Sequence, residues 1–374
     1  YGERLKMPVF PTWNALDAVT SDWQWYGGRV GTYGGRGRNF GLQNADLLLA
    51  VGSRISGRIT GGNLQTFARG AKKWVIDVDP SLLQKKLQQI PFDENVFCDA
   101  KIFLRRLFDK IANVSLPDIS AWTKKVMHWK EKYDPVLPEY TSLDRSNVHP
   151  YYFFRILSEE MGPNDILVGD CGGNIVASNH SFETKRGQRN ITNNGNSPMG
   201  FSFAGAMGAW LGSDKKHNVV ATIGDGGFNM NIQEIQTVLN YNLGFKTFII
   251  DNRIYGITKS YQKTNFQGRM EACGPKGYNP PDFIKICQAY GMPTVQIGNN
   301  AGVREGIRKV LAMEGPVVCV VNCYEEHVYN PRIFGWKTPI EDMYPYLPRE
   351  EFRENMIGVE PVSDWEHPAM PDIH

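Results

Sequence analysis

Val219-Val-Ala-Thr-Ile-Gly-Asp-Gly-Gly-Phe-Asn-Met230 is the stretch on which the reading of this chain turns. Val219 to Ile223 is an apolar run without alternation, as expected of a strand buried on both faces of a parallel sheet. Gly224, Gly226 and Gly227 let the backbone turn tightly and approach a ligand, and an amphipathic helix follows. A strand, a glycine turn and a helix together make the unit of a doubly wound α/β sheet. The first N–H groups of such a helix favour an anion such as a phosphate.

Asp225 is the odd residue in that turn. An acid among phosphate-cradling glycines repels the anion unless a cation lies between them. Mg²⁺ is the ion that combines one or two protein oxygens with phosphate oxygens. The second ligand belongs on a neighbouring strand end, and Asp251-Asn252 closes the next apolar run from Lys246. Adjacent parallel strands would bring both side chains to the carboxyl edge of the sheet, where open α/β folds bind ligands. On the residues alone another reading stands level with this one: Asp225 caps a helix and Asn252 makes a turn.

Outward from this unit, short apolar runs alternate with amphipathic stretches. Strands are expected at Asp46–Val51, Lys73–Val78, Asn95–Cys98, Ile166–Gly169, Lys246–Asp251 and Val317–Val321. Helices are expected from Ser81, over Lys101–Ile111, from Tyr151, after Gly173, over Ala204–Leu211 and Gln233–Asn240, and after Asp282. The fold class is therefore α/β with two doubly wound parallel-sheet domains. The expected organisation is a first domain over 1–135, a linker over 136–149, a second domain over 150–330 and a proline-rich tail over 331–374. That tail carries too many prolines for long helices or central strands, and the expectation is that it wraps the outside or covers a site. The Gly-rich patch from Gly27 to Gly41, with Arg36 and Arg38 able to approach an anion, reads as an ordinary loop.

Composition narrows the function classes. At about 150 residues per domain, 374 residues make two or three domains. With 41 Lys+Arg against 39 Asp+Glu the formal charge is +2, no footprint for a nucleic-acid backbone. No apolar run approaches the roughly 20 residues that span a bilayer. The six cysteines have no CxxC or zinc spacing, which suits free thiols and a cytoplasmic protein. The chain opens on Tyr1 with no basic segment leading into an apolar run, so no secretory signal is visible. Phosphate-binding GxxxxGK[ST], HExxH and GxSxG signatures are absent, and Gly224-x-Gly226 lacks the third glycine of a dinucleotide fingerprint.

Gly224-Asp-Gly followed one strand later by Asn252 resembles the thiamine diphosphate motif. Its flanks resemble the acetolactate (acetohydroxyacid) synthase branch. Gly224-Asp-Gly-Gly-Phe-Asn-Met230 is similar to GDASFNM, and Pro198-Met-Gly-Phe-Ser-Phe-Ala-Gly-Ala-Met-Gly-Ala209 to MGFGLPAAIGA. Gln43 to Arg54 is similar to QNADLIIAVGAR, and Arg58-Ile-Thr-Gly61 to RVTG. The matches run in the family's order over nearly the whole chain.

The resemblance implies a role for each matching position. Asp225 and Asn252 would hold Mg²⁺ by side chain, and Ile254 by its backbone carbonyl. Gly226 and Gly227, with Gly173 and Asn174, would face the diphosphate. Met230 would prop the cofactor into its bent shape, and Met199 and Gly200 would pass under its pyrimidine ring; filler in the core is the plainer reading of both methionines. The implied activity is a carboligase or decarboxylase acting on a 2-keto acid, with a lyase on another 2-keto acid or acyl donor, or a non-catalytic fragment retaining the fold, as alternatives.

FAD accompanies many members of this branch. Gly31-Thr-Tyr-Gly34 and Gly52-Ser-Arg54 fall where FAD is contacted, but Tyr33 and Ser56 replace the family's His and Asp. Met7-Pro-Val-Phe-Pro-Thr12 corresponds to the middle of the family's central domain. The pyrimidine-binding domain, with its catalytic Glu, is therefore expected on a longer chain or a separate subunit. By the same analogy the complete protein would be a homo-oligomer, and these residues alone nearly inactive.

Overall fold

The computed structural model describes residues 2–84, 90–323, 327 and 329–362. They divide into two units, one drawn from the described residues of 1–12, 23–135 and 330–369, the other from 13–22 and 136–329. Both are α/β units built on parallel sheets.

The first unit holds strands β1 (Leu47–Val51), β2 (Lys72–Asp77) and β3 (Glu94–Phe97), in that spatial order, with Ala50 opposite Val75 and Asp77 opposite Phe97. Its helices in chain order are α1 (Gly2–Leu5), α2 (Arg36–Gln43), α3 (Gly57–Thr60), α4 (Pro80–Leu83), α5 (Ala100–Ile111) and α6 (Ser120–Lys132). Asp99 caps α5 by accepting from the N–H groups of Lys101 (2.9 Å) and Ile102 (3.1 Å), a contact that contributes about 1 kcal/mol.

The Gly-rich patch does not stay a loop. Its second half is α2, with all eight residues buried. The physical reason lies in packing: a Cβ on Gly37 would stand 2.0 Å from the Trp129 carbonyl oxygen, and one on Gly41 would stand 2.9 Å from the Phe10 ring. Glycine costs α2 about 1 kcal/mol per residue in propensity but lets α6 approach at backbone contact. Phe40, on the same helix, meets Trp129 at 5.8 Å and Phe352 at 6.1 Å between ring centroids.

Of the proline-rich tail, 363–374 lies outside the described residues, and the described part, 331–362, packs into this unit rather than only wrapping its outside. Among its described residues Phe334, Ile340, Met343 and Phe352 are buried in the first unit. Among its described residues the one short helix is α15 (Arg349–Glu354). Glu341, 1% exposed, accepts from Gln43 Nε2 at 2.6 Å and pairs with Arg69 at 2.8 Å. Arg349 grips Asp342 with both ends of its guanidinium, at 2.8 and 2.9 Å. Arg36, which the sequence offered to an anion, donates instead to the carbonyls of Met343 and Pro345.

The second unit runs α7 (Pro150–Glu160), β4 (Ile166–Gly169), α8 (Gly172–Ser181), β5 (Arg189–Ile191), α9 (Phe201–Gly212), β6 (Val219–Gly224), α10 (Asp225–Met230), α11 (Ile235–Asn240) and β7 (Lys246–Asp251). It continues with α12 (Gly256–Asn265), α13 (Phe283–Tyr290), β8 (Thr294–Ile297), α14 (Val303–Ala312) and β9 (Val317–Asn322). Six parallel strands lie in the order β5-β4-β6-β7-β9-β8. The central strands are buried along nearly their whole length, and alternate residues serve opposite faces. Ile249 joins Phe203, Phe228 and Phe283 in one core, whereas its neighbour Phe248 packs on Phe153 of α7 at 5.3 Å. From β4 the chain crosses to β5 on one side and then back to β6 on the other. The switch point of the sheet therefore lies between β4 and β6.

Candidate cofactor site

Strand register places the site. Gly224, last in β6, is opposite Ile250, and Asp251, last in β7, is opposite Asn322. Asp225 and Asp251 therefore leave adjacent strand ends side by side, 3% and 2% exposed. Burial, and then the charge of Asp251, push the Asp225 carboxyl up to about 7. Its Oδ1 accepts from the Gly226 N–H at 2.8 Å, while its Oδ2 is buried without a hydrogen bond. Asp251 has a cation near it in Arg253, at 3.8 Å.

Asn252 opens the turn beyond β7. Its Oδ1 faces the Ile254 N–H at 3.4 Å across Arg253, whose φ of 60° lies in the left-handed region. Asp225 thus follows the end of β6, Asn252 and Ile254 follow the end of the adjacent β7, and the fold sets a second carboxylate, Asp251, beside Asp225. Among the described residues no group of three or more His, Cys, Asp or Glu could hold a metal. A cation here would draw on amide and carbonyl oxygens and on the ligand as well as on Asp225.

Asp170, directly after β4, accepts from the N–H groups of Gly200 (3.2 Å) and Ser202 (3.0 Å) at the start of α9. Burial raises its carboxyl above the usual range. A Cβ on Gly227 would stand 2.4 Å from the Asp170 Oδ2, so no side chain fits there. Gly200 has φ +88°, and its carbonyl accepts from Asn231 Nδ2 at 2.8 Å. Asp170 thereby ties the turn after β4 to the start of α9, and Asn231, just beyond α10, bonds to the same Gly200. The sequence reading missed Asp170; an acid directly after a strand and before two glycines was the available signal.

Aromatic rings close on the same turns. A Cβ on Gly226 would meet the Tyr255 ring at 2.3 Å and the Met199 methyl at 3.0 Å. Tyr255 stacks on Tyr278 at 3.9 Å. Burial and the nearby Asp225 push the Tyr278 hydroxyl above its ordinary range. Met199 and Met230, expected against the cofactor, are 40% and 47% exposed, so neither is core filler. Asn174, 6% exposed in the first turn of α8, leaves its Nδ2 without a hydrogen bond while its Oδ1 faces Thr222 Oγ1 at 3.4 Å. An orphan donor on one flank of the switch-point crevice and an orphan carboxylate oxygen on the other fit an anion bridged to a cation.

The comparisons with known proteins follow that division. Residues 1–107 match the family model described as thiamine pyrophosphate enzyme, central domain, and residues 170–321 the one described as thiamine pyrophosphate enzyme, C-terminal TPP binding domain. The chain is 29% identical over 320 residues to a probable acetolactate synthase large subunit of Methanocaldococcus jannaschii, covering 84% of this chain and 52% of that protein. It is 29% identical over 352 residues to acetolactate synthase isozyme 2 large subunit of Escherichia coli (strain K12), covering 94% of this chain and 59% of that protein. The chain spans about half the length of the curated relatives it matches. The chain belongs to the thiamine pyrophosphate enzymes, of which it carries the central domain and the C-terminal, thiamine pyrophosphate-binding domain.

Proposed function

We propose that the chain holds the diphosphate and the metal in a thiamine diphosphate- and Mg²⁺-dependent enzyme that condenses or decarboxylates 2-keto acids, as the name of its acetolactate synthase relatives suggests. The observation that carries this reading is Asp225: a buried carboxylate, one oxygen without a hydrogen bond, set among glycines at the switch point. A divalent cation offsets both its desolvation and the like charge of Asp251.

When bound, thiamine diphosphate supplies the carbon nucleophile and the electron sink for a keto acid that loses CO₂. Asp225 and Asn252 would hold the metal by side chain, and Ile254 by its carbonyl. Gly226 and Gly227 would face the diphosphate from the turn after β6, and Gly173 and Asn174 would face it from the first turn of α8. Met230 would support the bound cofactor, and Met199 with Gly200 would lie along its ring. FAD, which the resemblance allows beside Gly31–Gly34 and Gly52–Arg54, is not part of this proposal, because Tyr33 and Ser56 stand where the family has His and Asp. The six cysteines are free thiols, which supports a cytoplasmic setting, and no helix among the described residues is long and apolar enough to cross a membrane. A homo-oligomer, with the pyrimidine-binding domain from a longer chain or another subunit, completes the reading.

Calorimetric titration of the intact protein with thiamine diphosphate, with and without Mg²⁺, tests this. Binding should require the metal and disappear in Asp225→Ala; metal-independent binding that survives the substitution would refute it. Pyruvate turned over to acetolactate by the intact protein would fix the substrate.

A further inference from the structure

Helix α8 has ten residues and starts at Gly172-Gly173-Asn174, at the switch point; its N-cap residue, Cys171, makes no side-chain cap bond. The N–H groups of that first turn lack helical partners, and an anion is their natural complement. The Asn174 Nδ2, buried and without a hydrogen bond, is a second donor in the same turn.

Tyr329 comes to this turn from beyond β9 and is 4% exposed. Its ring lies over Gly173, so that a Cβ there would stand 1.9 Å from the Tyr329 hydroxyl oxygen. The same hydroxyl is 3.1 Å from the Cβ position of Gly256, where the Asn252 Nδ2 stands at 3.2 Å. A phenol O–H is thus set between the first turn of α8 and the amide of Asn252, two groups that the proposed reading assigns to the diphosphate and to its metal.

We propose that Tyr329 is a further phosphate-binding residue, its hydroxyl donating to an oxygen of the diphosphate beside Gly173 and Asn174. This rests on the thiamine diphosphate reading above. It also accounts for glycine at 173, because any side chain there displaces the phenol. A hydrogen bond to a charged oxygen is stronger than a neutral one, so its loss should cost about tenfold in affinity.

The test is titration of the intact protein and of Tyr329→Phe with thiamine diphosphate and with thiamine, which has no phosphate, both with Mg²⁺ present. The expected result is about tenfold weaker diphosphate binding with thiamine affinity unchanged. Unchanged or tighter diphosphate binding would overturn the proposal, as would an equal loss for both ligands, which would mean that the ring only packs. Wild-type protein that binds no thiamine diphosphate would instead remove the underlying reading. Should the phenylalanine variant not fold, Tyr329→His and Tyr329→Leu take its place: the donor-bearing His must bind the diphosphate more tightly than Leu, and equal affinities overturn the assignment.

Discussion

Asp225→Asn should make the cofactor-free protein more stable and at the same time incapable of metal-dependent binding. Asparagine keeps the shape of the side chain and an Oδ1 that can accept from the Gly226 N–H, the 2.8 Å contact of the wild type. It removes the charge that burial and Asp251 disfavour. The Asp225 carboxyl rises from 3.8 to about 7 in the folded chain. The folded state thus holds a proton that the unfolded chain has released, and stability falls as pH rises through that window. Three units at about 1.4 kcal/mol each give a cost on the order of 4 kcal/mol, complete above pH 7 and absent below pH 4. Urea unfolding of the apo proteins should therefore show the variant ahead of wild type at pH 8 and level with it near pH 4. Adding Mg²⁺ and thiamine diphosphate at about a hundred times Kd should raise wild-type stability by about 2.7 kcal/mol and leave the variant unmoved. If the apo variant is no more stable than wild type at pH 8, or if the ligands still stabilise it, the assignment of Asp225 is wrong.

Three further outcomes follow from the packing. Gly37→Ala places a methyl against the Trp129 carbonyl, and the separation of α2 from α6 should cost about 1–3 kcal/mol beyond any gain in helix propensity, read from the urea midpoint; a neutral substitution would deny the close contact. Glu341→Ala strips the buried partner from Arg69 and Gln43 and should cost about 3–5 kcal/mol, whereas Glu341→Gln, which can still pair with Gln43, should cost less. His149 stacks on Tyr140 at 3.9 Å and is held down to about 2, chiefly by burial and then by His327. Its native form thus resists the proton that the unfolded chain takes up below pH 6.5. Stability should fall by about 1.4 kcal/mol per pH unit on acidification below that point, and His149→Asn, whose side-chain oxygen can accept from the Tyr151 N–H at the start of α7 as His149 Nδ1 does at 3.2 Å, should flatten the slope.

What can be read from the residues, and what cannot, divides along a physical line. Val219–Ile223, Lys246–Asp251 and Val317–Val321 are legible because a strand covered on both faces tolerates few polar residues, and a short β-branched run between turn residues has little else to form. β5 and β8, three and four residues long at the sheet edges, carry no comparable signal. α2 escapes a local reading because propensity counts glycine against a helix, while the approach of Trp129 is a tertiary fact that no window over residues 36–43 contains. The proline-rich segment escapes it for the converse reason: prolines exclude regular elements but not burial, and Ile340 and Met343 reach the core from an irregular backbone.

The site divides in the same way. Asp225 and Asn252 stand out because an acid amid glycines is chemically costly without a reason. Asp170, Tyr255, Tyr278 and Tyr329 are ordinary residues in their own segments, and only the crossing of four strand ends brings them to one crevice. Two of the buried atoms there without a hydrogen bond, Asp225 Oδ2 and Asn174 Nδ2, are of opposite demand, an acceptor suited to a cation and a donor suited to an anion. A metal alone would answer the first and leave the second unsatisfied, and a phosphate alone would do the reverse while repelling Asp225. A phosphate group already carrying its divalent cation meets both demands at once, which is why the pair of residues specifies the complex more narrowly than either does alone.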